Sequence, residues 1–246
     1  MFLCFLTNLN LIKTFFALKN IQQGFNFALS IDCVVFGFDG SALKILLIER
    51  NEDPFKDWWA LPGNRVNVDE SVDQSASRIL KELTGLSDVY MEQFYTFGEL
   101  KRHPQGRVVS VAYYAMLRLS GEKPLKPLTS FARNAQWVNV NQVPELAFDH
   151  QYILEKGLEK IKRRVRHLPL VFELLPEKFT LTQVQNVYEL ILNKKLDKRN
   201  FRKKILSFKV LKELDEKQRG VSFRAATLYK FDKRKYNKLY GKEISF

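Results

Sequence analysis

A chain of 246 residues that is 46% hydrophobic has the material for a real core, which excludes a disordered or low-complexity protein. Its two cysteines, Cys4 and Cys33, match neither a metal-binding spacing nor a disulfide framework, so a reducing compartment, the cytoplasm, is the simple expectation. The formal charge of +13 is lopsided: from Val171 onward there are 19 Lys and Arg against 9 Asp and Glu, while the first 170 residues hold 21 and 18. A nearly neutral front and a basic back point to two domains with different partners.

Residues 1–25 stand apart. They are apolar, but Asn8, Asn10 and Lys13 interrupt them, so no run reaches the roughly 20 residues a membrane span needs. No cleavage site of a secretory signal follows. This segment reads as a poorly ordered extension or a start assigned too far upstream, and less well as a membrane-associating stretch.

"FALSIDCVVFGF" (Phe27–Phe38) and "LKILLIER" (Leu43–Arg50) read as strands joined by the turn "FDGS". "WWALPGN" (Trp58–Asn64) reads as a loop. Ser71–Thr84 has an apolar stripe at Val72, Ala76, Ile79 and Leu83, the spacing of a helix, and Gly85 stops it. "RVVSVAYYAMLRL" (Arg107–Leu119) and "QWVNV" (Gln136–Val140) read as strands. Asp149–Val165 reads as a helix opened by Asp149 and His150, whose default role is capping. Strands with helices on both sides predict a layered α/β domain over residues 26–166.

The pattern changes in 167–246. Thr180 and Gln183 form a capping box ahead of the stripe Val184, Val187, Tyr188 and Ile191. After the break "KKL", Asp197 caps a second helix with Phe201, Ile205 and Phe208 inward. Two strand-like runs, "VLKEL" and "ATLYKF", flank the basic loop "KQRGVSFR". Helix, turn, basic helix and hairpin is the order of a winged helix-turn-helix. That motif places Lys198, Arg199 and Arg202 near bases or phosphates, Lys203 and Lys204 on phosphates, and Arg219 and Arg224 in an adjacent groove. A merely solvated basic face is the alternative.

Residues Gly63–Leu86, "GNRVNVDESVDQSASRILKELTGL", resemble the box of the Nudix hydrolases: a glycine, five residues, Glu, seven residues, then Arg-Glu-apolar-x-Glu-Glu-x-Gly-apolar. Aligned on Gly85, the glycine position is Asn64, the first Glu is Glu70 and the Arg is Arg78. The clustered acids fall on Ile79, Glu82 and Leu83. The resemblance implies an α/β/α sandwich with a mixed sheet. In the family those acids hold a divalent cation that binds pyrophosphate and activates water. Ile79 and Leu83 have no oxygen to offer, and Glu82 alone is a poor site for a hard cation. Asp69, Glu70 and Asp73 lie nearby as substitutes. On a helix, positions 79, 82 and 83 are expected to share a face. Neither a metal nor a cofactor is therefore expected. Arg78 and Glu82, at i and i+4, also suit a plain ion pair.

With the basic C-terminal module, the chain resembles the Nudix-related transcriptional regulators, the NrtR group. "RILKELTGL", "MEQFYTFGELKRHPQGRVVSVAYYAM", "LAFDH" and "LLPEKFTLTQVQNVYELILNKKLDKRNFRKKIL" carry that resemblance. It implies a homodimer on a roughly palindromic double-stranded operator, and a Nudix domain that senses a small molecule. Some members respond to ADP-ribose and others to sugars such as arabinose. Trp58, Trp59, Arg78, Glu82, Phe97, Arg107 and Tyr113 are the candidates for effector contact, although core packing suits each aromatic equally. The competing readings are an ADP-ribose or nucleotide-sugar pyrophosphatase with an accessory basic domain, and a ligand-binding protein whose winged helix contacts protein.

Overall fold

A computed structural model of the chain describes residues 27–119, 121, 124–165, 170–218 and 225–240. The 1–25 extension, the 166/167 boundary, His167, and Arg219 and Arg224 of the hairpin loop lie outside the described residues.

β1 (Ala28–Phe38) and β2 (Leu43–Arg50) form an antiparallel pair. Both are almost wholly buried, which explains why their apolar runs do not alternate with polar residues. The loop expected at Trp58–Asn64 contains two short strands. β3 (Trp59–Ala60) pairs with β2, and β4 (Gly63–Arg65) with β1. β5 (Glu92–Phe97) was not evident in the sequence, and β6 (Val108–Arg118) runs parallel to β1 along its whole length. β7 (Ala132–Asn139) pairs with β2 and begins four residues before the run Gln136–Val140. The sheet is mixed, with the order β3-β2-β1-β6-β5.

Helix α1 (Val72–Thr84) covers one face and α2 (His150–Arg164) the other, the sandwich the sequence implied. α1 carries a full capping box, Ser71 with Gln74, and ends on Gly85 in the left-handed region. Gly157 lets α2 approach the sheet: a Cβ there would sit 2.7 Å from Val34 Cγ1.

α3 (Leu170–Glu173) leads into α4 (Leu181–Leu192), whose Thr180–Gln183 capping box forms as expected. α5 (Lys198–Ser207) follows, its first turn capped by the Asp197 carboxylate, which accepts from Asn200 N. The hairpin β8 (Leu211–Lys217) and β9 (Thr227–Phe231) gains a third member where Phe179 and Tyr229 exchange backbone hydrogen bonds. α6 (Lys233–Tyr240) closes the described chain, with Tyr236 buried.

The two domains share one apolar cluster. Val34 and Phe36 of β1 and Ile161 of α2 belong to it, as do Val171, Phe172, Val184 and Val187 of the basic domain. A common core makes α2 a stiff connection between them.

Candidate functional site

α1 splits the residues of the box between two environments. Ile79 and Leu83 are 0% exposed and belong to the cluster with Ile31, Cys33, Val35 and Tyr113. Glu82 lies at the solvent edge of the same face and is partly exposed. It accepts from Arg78 Nη1 at 2.9 Å. Arg78 also donates from Nε and Nη2 to the two oxygens of Glu70, at 2.8 and 2.5 Å, and from Nη2 to the Arg65 carbonyl at 3.1 Å. Glu70 accepts in addition from Asn67 N. The Arg78 hydrogen bonds, more than the one to Asn67, hold the Glu70 carboxyl down at about 2.

These residues do not fit a divalent cation. Both box carboxylates are committed to Arg78, and the other two positions are hydrocarbon inside the core. Asp73 is engaged as well, accepting from the Tyr113 hydroxyl at 2.5 Å. Among the described residues, no group of three or more His, Cys, Asp or Glu side chains could hold a metal ion. Asn64, at the glycine position, lies in β4 opposite Ile31, and its side chain accepts from Arg65 N.

Beside the box lies a buried polar cluster that sequence reasoning missed. Asp32 sits in the middle of β1 and is 4% exposed. It accepts from Ser110 Oγ at 2.5 Å and from Arg102 Nη2 at 3.4 Å. Arg102 grips Asp149 through both oxygens, at 2.8 and 2.7 Å. Asp149 makes no capping hydrogen bond to α2, which corrects its expected role. Its carboxylate serves Arg102 instead. His150 is not a capping residue either: its Nδ1 accepts from Leu61 N at 3.0 Å, so Nε2 carries the proton, 3.4 Å from Asp32 Oδ1. Asp32 favours the charged imidazole, but burial outweighs it and holds the His150 pKa below its ordinary value. A β-carbon on Gly63 would meet Asp32 Oδ1 at 2.3 Å, so only glycine fits beside this carboxylate.

An aromatic and cationic wall completes the region. The Phe148 ring lies 4.9 Å from the Arg50 guanidinium and is stacked on His103 at 4.9 Å. Phe148 has φ 56, a left-handed conformation that costs a bulky residue about 1–3 kcal/mol. Strain of this kind persists where the surroundings over-determine it, as Arg50 and His103 do here. The signal available in the sequence was Asp32 itself, one acid within an apolar strand.

The structure does not bring the expected effector residues into one pocket. Phe97 and Tyr113 are buried on opposite faces of the sheet. Trp58 is exposed with its edge against Phe55, and Trp59 is partly buried in β3. Arg78 and Glu82 bind each other. Arg107 lines a cavity of about 340 Å³ together with Arg65 and His103.

In the basic domain, Lys198, Arg199, Lys203 and Lys204 are exposed on α5, while Ile205 is buried. Phe201 and Phe208 pack against the core from partly buried positions, Phe201 edge-on to Tyr188. Arg202 departs from the outward pattern. It is half-buried, its Nε is buried without a hydrogen-bond partner, and its charge lies close to Tyr229 of β9. The α4–α5 turn is pinned by Glu189, which accepts from Leu196 N and Gln185 Nε2, each at 2.9 Å, and from Lys195 Nζ at 3.0 Å. These contacts, with Leu196 N foremost, bring the Glu189 carboxyl down to about 2. α6 adds Lys233, Arg234 and Lys235 to the exposed basic surface.

Comparison with known proteins joins the two halves. The NUDIX domain model matches residues 26–157, and the model of the NrtR DNA-binding winged helix domain matches residues 171–231. The chain is 34% identical over 213 residues to the ADPR responsive transcriptional repressor NtrR of Acinetobacter baylyi, covering 85% of this chain and 84% of that one. This chain belongs to the NrtR family of Nudix-related transcriptional regulators. Shewanella oneidensis NrtR, solved in complex with a 27mer DNA, superposes with a TM-score of 0.66 at 30% identity, covering 82% of this chain and 93% of that one. The NUDIX domain of the same NrtR, solved with ADP ribose, matches at 32% identity and a TM-score of 0.50, covering 55% of this chain and 88% of that one. In this NrtR-family chain, α5 is the second helix of the helix-turn-helix and β8–β9 the wing. No described helix is long and apolar enough to cross a membrane.

Proposed function

We propose that this protein is a repressor that binds operator DNA through α5 and the wing, and whose Nudix domain senses an ADP-ribose-type metabolite without hydrolysing it. One observation carries the reading: the box helix has given its metal-ligand positions to the core, in a chain that also presents an exposed basic recognition helix. The A. baylyi repressor, named for its response to ADPR, and the ADP ribose complex of the Shewanella domain support that effector over a free pentose such as arabinose.

The fold supplies a route between the sites. The N-terminus of α2 stands in the polar cluster through Asp149 and His150, and its far end, Ile161, lies in the core shared with α4. A ligand that displaces the Arg102–Asp149 clamp biases α2 and hence the placement of α5. Coupling of this kind is reciprocal: DNA must alter effector affinity by the factor by which effector alters DNA affinity. Two copies on a palindromic site complete the reading, since helix-turn-helix proteins bind half-sites about one helical turn apart.

The test is a mobility-shift titration of the gene's own upstream region with ADP-ribose or arabinose added, and without divalent metal. The reading predicts a specific complex that ADP-ribose dissociates. A complex indifferent to both compounds would leave the Nudix domain as a dimerisation scaffold.

A further inference from the structure

We infer that the cavity at the start of β1 and β6 is a phosphate subsite for the effector, in which arginine and histidine side chains take the place of a divalent metal ion. The inference rests on the effector-sensing reading above and adds to it the chemistry of the site.

The cavity, about 340 Å³, is lined by Phe27, Ala28, Arg65, His103, Gln105 and Arg107, with Gly106 and Val108 behind them, and none of its lining residues is a carboxylate. That volume is at the low end for small-molecule sites and matches one phosphorylated sugar unit, not a whole dinucleotide.

Its cations are available. The Arg65 guanidinium makes no hydrogen bond or ion pair with any described residue, although it stands beside the most heavily bonded part of the box. Arg107 donates one N–H, from Nη1 to the Gly98 carbonyl at 2.6 Å, which orients the group and leaves its other donors for a ligand. His103 Nδ1 accepts from Gln105 N at 3.2 Å, so the imidazole presents an N–H from Nε2. Burial and the nearby charges of Arg102, Arg65 and Arg50 keep this histidine toward its neutral form. A neutral donor beside two cations is a setting in which an anion relieves the crowding of positive charge.

The degenerate box explains why the site is in place. Arg78, held by Glu70 and Glu82, donates to the Arg65 carbonyl and so fixes the backbone that carries Arg65 to the cavity edge. Glu82, the one acid left in the cation-binding cluster, here helps to anchor a cationic side chain. Guanidinium groups pair with phosphate through parallel N–H···O bonds and need no metal bridge.

The experiment is isothermal titration calorimetry of the full chain in EDTA. The probes are ADP-ribose, ribose 5-phosphate and inorganic pyrophosphate, set against arabinose and ribose. R65Q and R107Q are compared with R65K and R107K, with melting curves confirming that each exposed-site variant folds. The inference predicts metal-free binding of the phosphate-bearing probes, weakened about ten-fold or more by either glutamine and partly restored by lysine. ADP-ribose bound equally well by wild type and both glutamine variants would overturn the subsite while leaving the sensor reading intact. Binding of neutral pentoses alone, or binding that needs magnesium, would overturn the subsite and with it the reading of a metal-free ADP-ribose sensor. Failure of every probe, with and without magnesium, would remove the subsite and the sensor reading together.

Discussion

Arg78 grips both carboxylate oxygens of Glu70, Nε to Oε2 at 2.8 Å and Nη2 to Oε1 at 2.5 Å, and so makes the first acid of the box a buttress. The same guanidinium reaches Glu82 and the Arg65 carbonyl, tying α1 to the loop that precedes it. Arg78→Ala is expected to lower the unfolding free energy by about 1–2 kcal/mol and to speed amide exchange across residues 64–71. Arg78→Lys, which keeps the charge but loses the fork, is expected to recover little of that loss. Exchange at 64–71 unchanged in the alanine variant would show that the clasp does not order the loop.

The burial of Ile79 and Leu83 leads to a prediction about catalysis. Purified protein with magnesium or manganese is expected to release no AMP or ribose phosphate from ADP-ribose above a protein-free control. Ile79→Glu with Leu83→Glu is not expected to create activity, because it places two carboxylates in a closed apolar cluster. Burying such charges is expected to cost more than about 4 kcal/mol and largely unfold the domain. Metal-dependent turnover in wild type that Glu82→Gln abolishes would contradict the account.

On α5 the side chains divide by exposure. Arg199→Ala is expected to cost about 1–3 kcal/mol of operator binding and to relax preference at one base position. Lys203→Ala is expected to weaken all sequences alike and to reduce the salt dependence by about one ion. Arg202→Ala is expected to affect the packing of α5 on β9 as well as DNA, seen as a lower melting temperature without DNA. Titration of specific and scrambled duplexes at several salt concentrations separates these effects. Wild-type binding by both the Arg199 and the Lys203 variants would exclude α5 as the recognition element.

Glu189 offers a test of the turn apart from any basic residue. Glu189→Ala removes the acceptor for Leu196 N, Gln185 Nε2 and Lys195 Nζ. It is expected to weaken operator binding several-fold while all the cations of α5 remain. Unchanged affinity, with unchanged exchange at Leu196, would mean that the turn is held by the packing of α4 on α5 alone.

The basic domain was legible because its signals are local. A capping box at Thr180, an N-cap at Asp197 and a stripe through Val184, Val187 and Ile191 each lie within one helix. The same holds for α1 and Gly85. β5 escaped because Glu92–Phe97 is a short, half-exposed run with no clean alternation. The polar cluster escaped for a different reason. Asp32, Arg102, Ser110 and Asp149 lie far apart in the chain, and only the parallel pairing of β1 with β6 and the docking of α2 bring them together. Asp149 and His150 look like capping residues by position, and nothing local reveals that Arg102 and Leu61 claim them.

His150 ties this cluster to pH. Its pKa is depressed in the folded protein, so the unfolded chain binds the proton more tightly. Its contribution to stability is therefore complete above the unfolded value, about 6.5, and is lost as pH falls from there toward the lower folded pKa. Melting temperatures are expected to fall between about pH 7 and pH 5 in wild type, and to fall less in His150→Gln. Equal slopes in the two proteins would show that His150 is not the group being titrated.

The central claim is that the Nudix domain reports a metabolite to the DNA-binding helix without metal chemistry. It is tested most directly by fluorescence anisotropy of a labelled duplex from the gene's upstream region, titrated with protein in EDTA at rising ADP-ribose concentrations. The account predicts that the apparent dissociation constant rises with ADP-ribose to a plateau, and that the intact ligand is recovered afterwards. A dissociation constant that stays flat at every concentration, or one that shifts only when magnesium is present and ADP-ribose is consumed, would contradict it.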